Sequence, residues 1–121
     1  MEINTRTENG NIIAMVKSKD MLITDVQSAL DLIATVGYEA DSNRIILDKE
    51  TICEDFFDLK TRLAGEILQK FINYHTKIAI VGDVTAYSSN SLRDFIYECN
   101  QGTDIFFVQS EDEAIHKLSS I

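Results

Sequence analysis

The chain opens with two extended segments that are separated by Asn9-Gly10. Residues 2–7 are mostly polar, whereas residues 11–17 contain five successive apolar side chains. An Asn-Gly pair readily adopts the positive φ angles of a tight hairpin turn. The pattern predicts an antiparallel hairpin whose first strand is an edge strand and whose second strand is covered on both faces.

Apolar residues recur at helical spacing in the segment that follows the hairpin. Thr24 and Gln27 have the spacing of a capping box, and Gly37 can supply a left-handed end. We therefore expect a helix between these limits, with one buried face. The apolar residues that recur at helical spacing on this face are Val26, Ala29, Leu30, Ile33 and Ala34.

Three short apolar runs are typical of buried strands, namely 44–48, 77–81 and 104–108. We expect a loop or single turn at 49–57 and then a helix from about Asp58 to Tyr74. Gly65 costs helix stability, which indicates close packing against a strand. Two further helices are predicted after capping boxes that begin at Ser91 and Ser110.

The predicted element order is β-β-α-β-α-β-α-β-α. A strand, a crossover helix and a second strand imply parallel pairing with a right-handed connection. We therefore predict a single α/β domain over residues 1–121, in which an N-terminal hairpin enters a mixed, mainly parallel sheet flanked by helices. This order is similar to that of the sulfate-transporter-and-anti-sigma-antagonist (STAS) domains.

A longer sequence resemblance rests on five segments, which are 56–61, 63–71, 73–74, 78–83 and 91–100. With their surroundings they resemble a bacterial family known as domain of unknown function 4180, from roughly Ile23 to Leu118. The resemblance implies a bacterial, cytoplasmic, stand-alone domain and implies no activity.

The STAS resemblance raises the question of a phosphorylation switch. In anti-sigma antagonists of that group, a phosphorylatable serine preceded by aspartate opens the helix after the third strand. Here Leu59 follows Asp58, and the nearest hydroxyl belongs to Thr61. The serine is therefore missing at the matching position, although a phosphate on Thr61 would lie near a helix N-terminus, where negative charge is favoured.

Charge and composition narrow the classes of partner. Twenty acidic residues against 11 basic ones give a net charge of −9, which argues against binding to nucleic acid or to an anionic membrane. No apolar run approaches the ~20 residues of a bilayer span. Cys53 and Cys99 are expected to be small core residues in a reducing compartment, so we expect a cytoplasmic protein.

Candidate chemistry is sparse. Asp48 and Asp83 each end a predicted parallel strand, where two carboxylates could hold Mg²⁺ or act as acid and base. Aspartate at such positions also caps exposed backbone amides. The loop after Gly82 lacks the glycines and lysine of a phosphate-binding loop. We expect no metal site, no cofactor and no catalytic residue.

The candidate binding surface is formed by the loop after Asp48, the segment 58–62 and the loop 82–91, because loops at one edge of a sheet commonly carry function. Lys60 and Arg62 could form a basic spot for an acidic partner or simply a solvated helix face. Tyr87 is the aromatic residue that we expect to be exposed. The candidate binding residues are Asp48, Asp58, Lys60, Thr61, Arg62, Asp83, Tyr87, Ser88 and Arg93.

Three functions follow from these features. The leading hypothesis is a small cytoplasmic regulatory or protein-interaction module, whose partner is a protein rather than nucleic acid or a membrane. The alternative is a small-ligand or Mg-dependent enzyme that uses the carboxylates at the strand ends. A homodimer, formed through the free edge of the first strand, is the third.

Overall fold

Five β-strands lie side by side in their sequence order, in a computed structural model that describes Met1 to Ile121. The strands are β1 (Glu2–Glu8), β2 (Asn11–Lys17), β3 (Arg44–Asp48), β4 (Lys77–Val81) and β5 (Ile105–Val108). The α-helices are α1 (Val26–Ala40), α2 (Leu63–Asn73), α3 (Asn90–Asn100) and α4 (Glu111–Ser119). Three short 3-10 helices between β3 and α2 are Lys49–Thr51, Glu54–Phe57 and Leu59–Thr61.

The sheet is mixed and mainly parallel, as predicted. β1 runs antiparallel to β2, and β2, β3, β4 and β5 are parallel to their neighbours. Ile45 lies opposite Ile78, which in turn lies opposite Ile105. The element order and the α/β fold class are therefore confirmed.

Helices cover both faces of the sheet unequally. The front face packs against α1, α2 and α3 in the larger core, and the back face packs against α4 in a smaller one. Adjacent residues of β2 show the division, since Ile13 is buried in the back core and Ala14 in the front core. β2 is thus covered on both faces, as its unbroken apolar run predicts.

The hairpin turn also matches the prediction. Asn9 and Gly10 have φ angles of 53° and 79°, the left-handed pair that a two-residue hairpin needs. β1 lies at the edge of the sheet.

The limits predicted for α1 were wrong at both ends. The helix is capped by Asp25, whose carboxylate accepts a hydrogen bond from the Ser28 amide at 2.7 Å, while the Ser28 hydroxyl accepts from the Asp25 amide at 3.1 Å. A carboxylate one residue later therefore takes the capping role assigned to Thr24. Gly37 lies inside the helix, and Asp41 provides the left-handed end with φ 50°.

The buried face of α1 is rotated from the predicted one. The buried residues are Ala29, Leu32 and Val36, whereas Ala34 is exposed and Leu30 is half-buried. Apolar residues cover more of this helix than one face can hold, so packing against α2 and the sheet decides which of them are buried.

The predicted start of α2 at Asp58 was also wrong. The helix begins at Leu63, after Arg62 adopts a left-handed conformation with φ 63°. The Thr61 hydroxyl accepts a hydrogen bond from the Leu63 amide at 3.2 Å. The apolar residues before this point belong to 3-10 turns, whose period is close enough to that of an α-helix to extend the apparent stripe.

Serine caps begin the last two helices. α3 is capped by Ser89 rather than Ser91, because the Ser89 hydroxyl accepts from the Leu92 amide at 3.2 Å. α4 begins where predicted, with the Ser110 hydroxyl accepting from the Glu113 amide. The helices themselves are confirmed, and only the first boundary moves.

Gly65 does not pack closely against a strand, contrary to the sequence-based prediction. It is exposed on α2, and a Cβ at this position would meet no atom within 4 Å. Gly65→Ala should therefore raise the free energy of unfolding by about 0.5–1 kcal/mol, because alanine loses less backbone entropy in a helix. Thermal unfolding measures the change. Gly10→Ala is the matched control and should destabilise, since its φ of 79° disfavours a side chain while the space around it is equally open. A lower Tm for Gly65→Ala would contradict the helix placement.

Candidate functional site

The four parallel strands β2, β3, β4 and β5 all end on the same side of the molecule. We call the surface formed by these carboxyl ends and the loops that follow them the rim. The chain leaves β3 through the three 3-10 helices, and it leaves β4 through the loop 82–89. These two segments meet beside the start of α3. The rim is therefore built from the regions that the sequence predicts as a binding surface.

An open groove of about 370 Å³ lies between the two segments, and we call it the rim groove. Its lining residues are Glu54, Asp55, Phe57, Asp58, Tyr87, Ser88, Ser89 and Leu92. Of the nine candidate binding residues, the groove brings together Asp58, Tyr87 and Ser88. The other five lining residues, Glu54, Asp55, Phe57, Ser89 and Leu92, were not among the candidates. Two acidic side chains directly before an aromatic pair, in a segment predicted as a loop or single turn, were the signal that could have found the first three.

An aromatic stack joins the two sides of the groove. The Phe57 and Tyr87 rings are stacked with centroids 5.2 Å apart and planes 13° apart, and Phe56 meets Phe57 edge-on at 5.0 Å. The Tyr87 hydroxyl donates to the Glu54 carboxylate at 3.1 Å. Tyr87 is therefore half-buried, and the expectation that it is exposed was wrong because Phe57, thirty residues away in sequence, provides a partner ring.

Lys49 lies against the same two rings. Its ammonium nitrogen is 4.9 Å from the Tyr87 ring centroid and 5.4 Å from that of Phe57, within the range of cation–π attraction. The interaction with the Tyr87 hydroxyl raises the pKa of Lys49, and burial raises the pKa of Tyr87. Both side chains thus keep their protons at neutral pH, and the rings already hold one cation.

Gly82 allows the two segments of the rim to approach each other. A Cβ on Gly82 would lie 2.7 Å from the Cβ of Lys49, and the backbone has φ 154°. The missing side chain at the end of β4 therefore makes room for the residue that follows β3.

The rim groove is acidic rather than basic. Glu54, Asp55 and Asp58 contribute three carboxylates, whereas Lys60 and Arg62 are outside the lining of the groove. The Lys60 amide donates to the Asp58 carboxylate at 3.2 Å, which caps the third 3-10 helix. The basic spot that Lys60 and Arg62 could form is therefore not part of the groove.

Thr61 stabilises the turn before α2. Its hydroxyl is 2.7 Å from the Asp55 carbonyl oxygen and 2.8 Å from the Asp58 carbonyl oxygen, and it accepts from the Leu63 amide. The hydroxyl considered as a phosphate acceptor thus holds together the segment that lines one side of the groove.

The two aspartates at the strand ends have different partners. The Lys17 ammonium is 3.2 Å from the Asp48 carboxylate and 3.0 Å from that of Glu111. Asp83 accepts from the Thr85 hydroxyl and from the Thr85 amide at 2.8 Å, and these hydrogen bonds lower the pKa of Asp83. Asp83 thus caps a backbone amide, the simpler of the two roles considered for it from the sequence. Asp48 instead forms an ion pair with Lys17.

The remaining candidate is Arg93, which lies on the exposed side of α3. Its guanidinium donates to the Ser88 carbonyl oxygen at 3.3 Å. This contact ties the loop of the groove to the helix behind it. The structure brings no three histidine, cysteine or carboxylate side chains together in a geometry for a metal ion.

None of the helices has the length and apolar character that a membrane crossing needs.

Comparisons with known proteins place the chain in a family. No curated protein sequence matches the chain. It is similar to the crystal structure of a candidate anti-sigma factor antagonist from Thermotoga maritima, with 11% identity, a TM-score of 0.45, and coverage of 95% of this chain and 92% of that chain. Residues 8–118 match the family described as Domain of unknown function (DUF4180), and the chain belongs to that family.

Proposed function

We propose that this protein is a small regulatory or protein-interaction module that binds a basic segment of a partner protein in the rim groove. The observation that carries the proposal is the composition of the groove, in which three carboxylates line the same cleft as a stacked aromatic pair. Arginine side chains pair with carboxylates through several hydrogen bonds, so the exposed carboxylates of the groove are complementary to them.

The groove fits a protein segment better than a small molecule. Pockets for small molecules are mostly apolar and largely enclosed. Here only three of the eight lining residues are hydrophobic, and the groove is open. The net charge of −9 would also attract a basic partner over longer distances at low salt.

The enzyme alternative has less support from the geometry. It requires the carboxylates of Asp48 and Asp83 to act on one ligand, but Lys17 pairs with the first and Thr85 hydrogen-bonds the second. Neither carboxylate lines the rim groove.

We further propose that residues 1–121 act as one domain in the cytoplasm, because both cysteines are unpaired, as is usual in a reducing compartment.

Asp55→Lys tests the binding proposal with the least damage to the fold. The Asp55 side chain is exposed and makes no hydrogen bond, whereas its backbone carbonyl holds Thr61 and is retained in the variant. We expect the variant to bind a protein partner at least about tenfold more weakly than the wild type, since a carboxylate facing a basic segment becomes a positive charge. The measurement is affinity purification from the native cell at low salt, followed by titration of the captured protein.

Glu98→Lys is the matched control. Glu98 is exposed on α3, lies outside the groove, and gives the same change in net charge. A partner that binds the wild type and Glu98→Lys but is lost from Asp55→Lys supports the proposal. A partner that binds all three proteins equally, or is lost equally from both variants, would show that the groove is not the contact site.

A further inference from the structure

The two outer strands of the sheet, β1 and β5, differ in whether the backbone groups on their free edges have hydrogen-bond partners. At β5, the side-chain amide of Asn100 forms two hydrogen bonds with the backbone of Phe107, accepting from its N–H at 2.7 Å and donating to its carbonyl at 3.2 Å. These bonds occupy backbone groups that would otherwise be free to pair with another strand. The free edge of β5 is therefore covered at Phe107 by a side chain.

The β1 edge has no such cover. β1 is seven residues long, and all of them are exposed except the half-buried Ile3 and Glu8. Outside the β1–β2 ladder, no hydrogen bond reaches a backbone group of β1. A long edge with unpaired backbone groups is a template for a further strand. The β1 edge is therefore open along its length, whereas the shorter β5 edge is covered at Phe107.

We propose that the β1 edge binds a second copy of this chain, with the two β1 strands antiparallel and a two-fold axis passing through Asn4. The result is one continuous sheet made from two five-stranded sheets. The side chains of β1 favour a second copy because they are self-complementary in this register. Four of them alternate along the back face of the strand, Glu2, Asn4, Arg6 and Glu8.

Three antiparallel registers overlap at least five residues of β1, and their charges differ. With the axis at Asn4, Glu2 of each copy faces Arg6 of the other, which gives two opposite-charge pairs. With the axis at Thr5, Glu2 faces Glu8 twice, and with the axis at Arg6 the two arginines face each other. Opposite charges across a strand pair stabilise it and like charges destabilise it. Arg6 also pairs with Glu8 of its own strand at 2.7 Å, and the Asn4 register is the one of the three that adds opposite-charge pairs between the copies.

The front side of the same edge is also suited to a second copy. A groove of about 350 Å³ runs between β1 and the end of α1, lined by Met1, Ile3, Thr5, Glu39 and Ala40. The two-fold axis places both α1 helices on the same face of the joined sheet. The two grooves then meet across the junction, where the exposed Met1 and the half-buried Ile3 gain an apolar cover.

The test is the molar mass of the full chain by light scattering during gel filtration over a range of concentrations. The wild type should show twice the mass of one chain, with a dimer that weakens as salt is raised. Glu2→Arg and Arg6→Glu should each weaken the dimer at least about tenfold, because each turns both attractive pairs into repulsive ones. Glu98→Arg, a charge reversal away from the edge, should leave the dimer unchanged.

Mixing the two variants separates the proposal from any effect on folding. In a mixed dimer, the new positive charge at position 2 of one copy faces the new negative charge at position 6 of the other, and the unchanged Arg6 faces the unchanged Glu2. An equimolar mixture of Glu2→Arg and Arg6→Glu should therefore form a dimer at concentrations where each variant alone is monomeric. A monomeric wild type, or a mixture that stays monomeric, would overturn the proposal. A stronger dimer for Glu2→Arg would equally overturn it, since that result fits the Thr5 register.

Discussion

Phe56→Ala is expected to lower the free energy of unfolding by about 3–5 kcal/mol, the range for removal of a fully buried phenylalanine ring. Phe56 is 1% exposed in the front core and lies edge-on to Phe57 at 5.0 Å. It belongs to a short 3-10 helix, which has little stability of its own. The buried ring therefore anchors the segment that lines the groove.

Urea denaturation of the wild type and variant measures this loss. Phe95→Ala is the control, because Phe95 is only half-buried on α3 and should cost less. An effect of Phe56→Ala smaller than that of Phe95→Ala would contradict the placement of the ring in the core.

Gly82→Ala is expected to lower the free energy of unfolding by about 1–3 kcal/mol, since the added methyl group has no room. The new Cβ would lie 2.7 Å from the Cβ of Lys49, on a backbone with φ 154°. The two segments of the rim would have to separate, so binding at the groove should weaken together with stability.

A double-mutant comparison isolates the contact. Lys49→Ala retains the Cβ that clashes, whereas Lys49→Gly removes it. Gly82→Ala should therefore cost about the same in the Lys49→Ala background as in the wild type, after allowance for the lysine side chain, and clearly less in the Lys49→Gly background. Equal costs in all three backgrounds would mean that Gly82 and Lys49 are not in contact.

Local patterns predicted the sheet well. The Asn9-Gly10 turn needs only two residues of suitable conformation, and the strands 44–48 and 77–81 are apolar runs whose burial does not depend on register. The parallel order then follows from the alternation of strands and helices. These features were within reach of the sequence because neighbouring residues determine them.

Helix boundaries and faces were harder to predict. The caps of α1 and α3 lie within two residues of the predicted ones, because several serine, threonine and aspartate side chains compete for the role. Gly65 was misread since its cost to the helix has no compensating contact. The first error is a choice among neighbouring residues that can all cap a helix, and the second concerns a contact that the sequence alone does not show.

The rim groove could be located but not described from the sequence. The ends of the parallel strands indicated where the groove lies, and Asp58, Tyr87 and Ser88 do line it. Its chemistry depends on contacts between distant residues, such as the Phe57–Tyr87 stack and the approach of Lys49 to Gly82. No spacing in the sequence brings these pairs together.

The most direct test of the proposed binding site is an NMR titration of the ¹⁵N-labelled protein with an acetylated Arg-Leu-Arg-Phe-Arg peptide amide at low salt. We expect the largest shift changes at the backbone amides of residues 54–58 and 87–92, with the response reduced in Asp55→Lys and retained in Glu98→Lys. Shift changes spread over the acidic surface, or equal responses of the two variants, would contradict a specific site for basic segments in the groove.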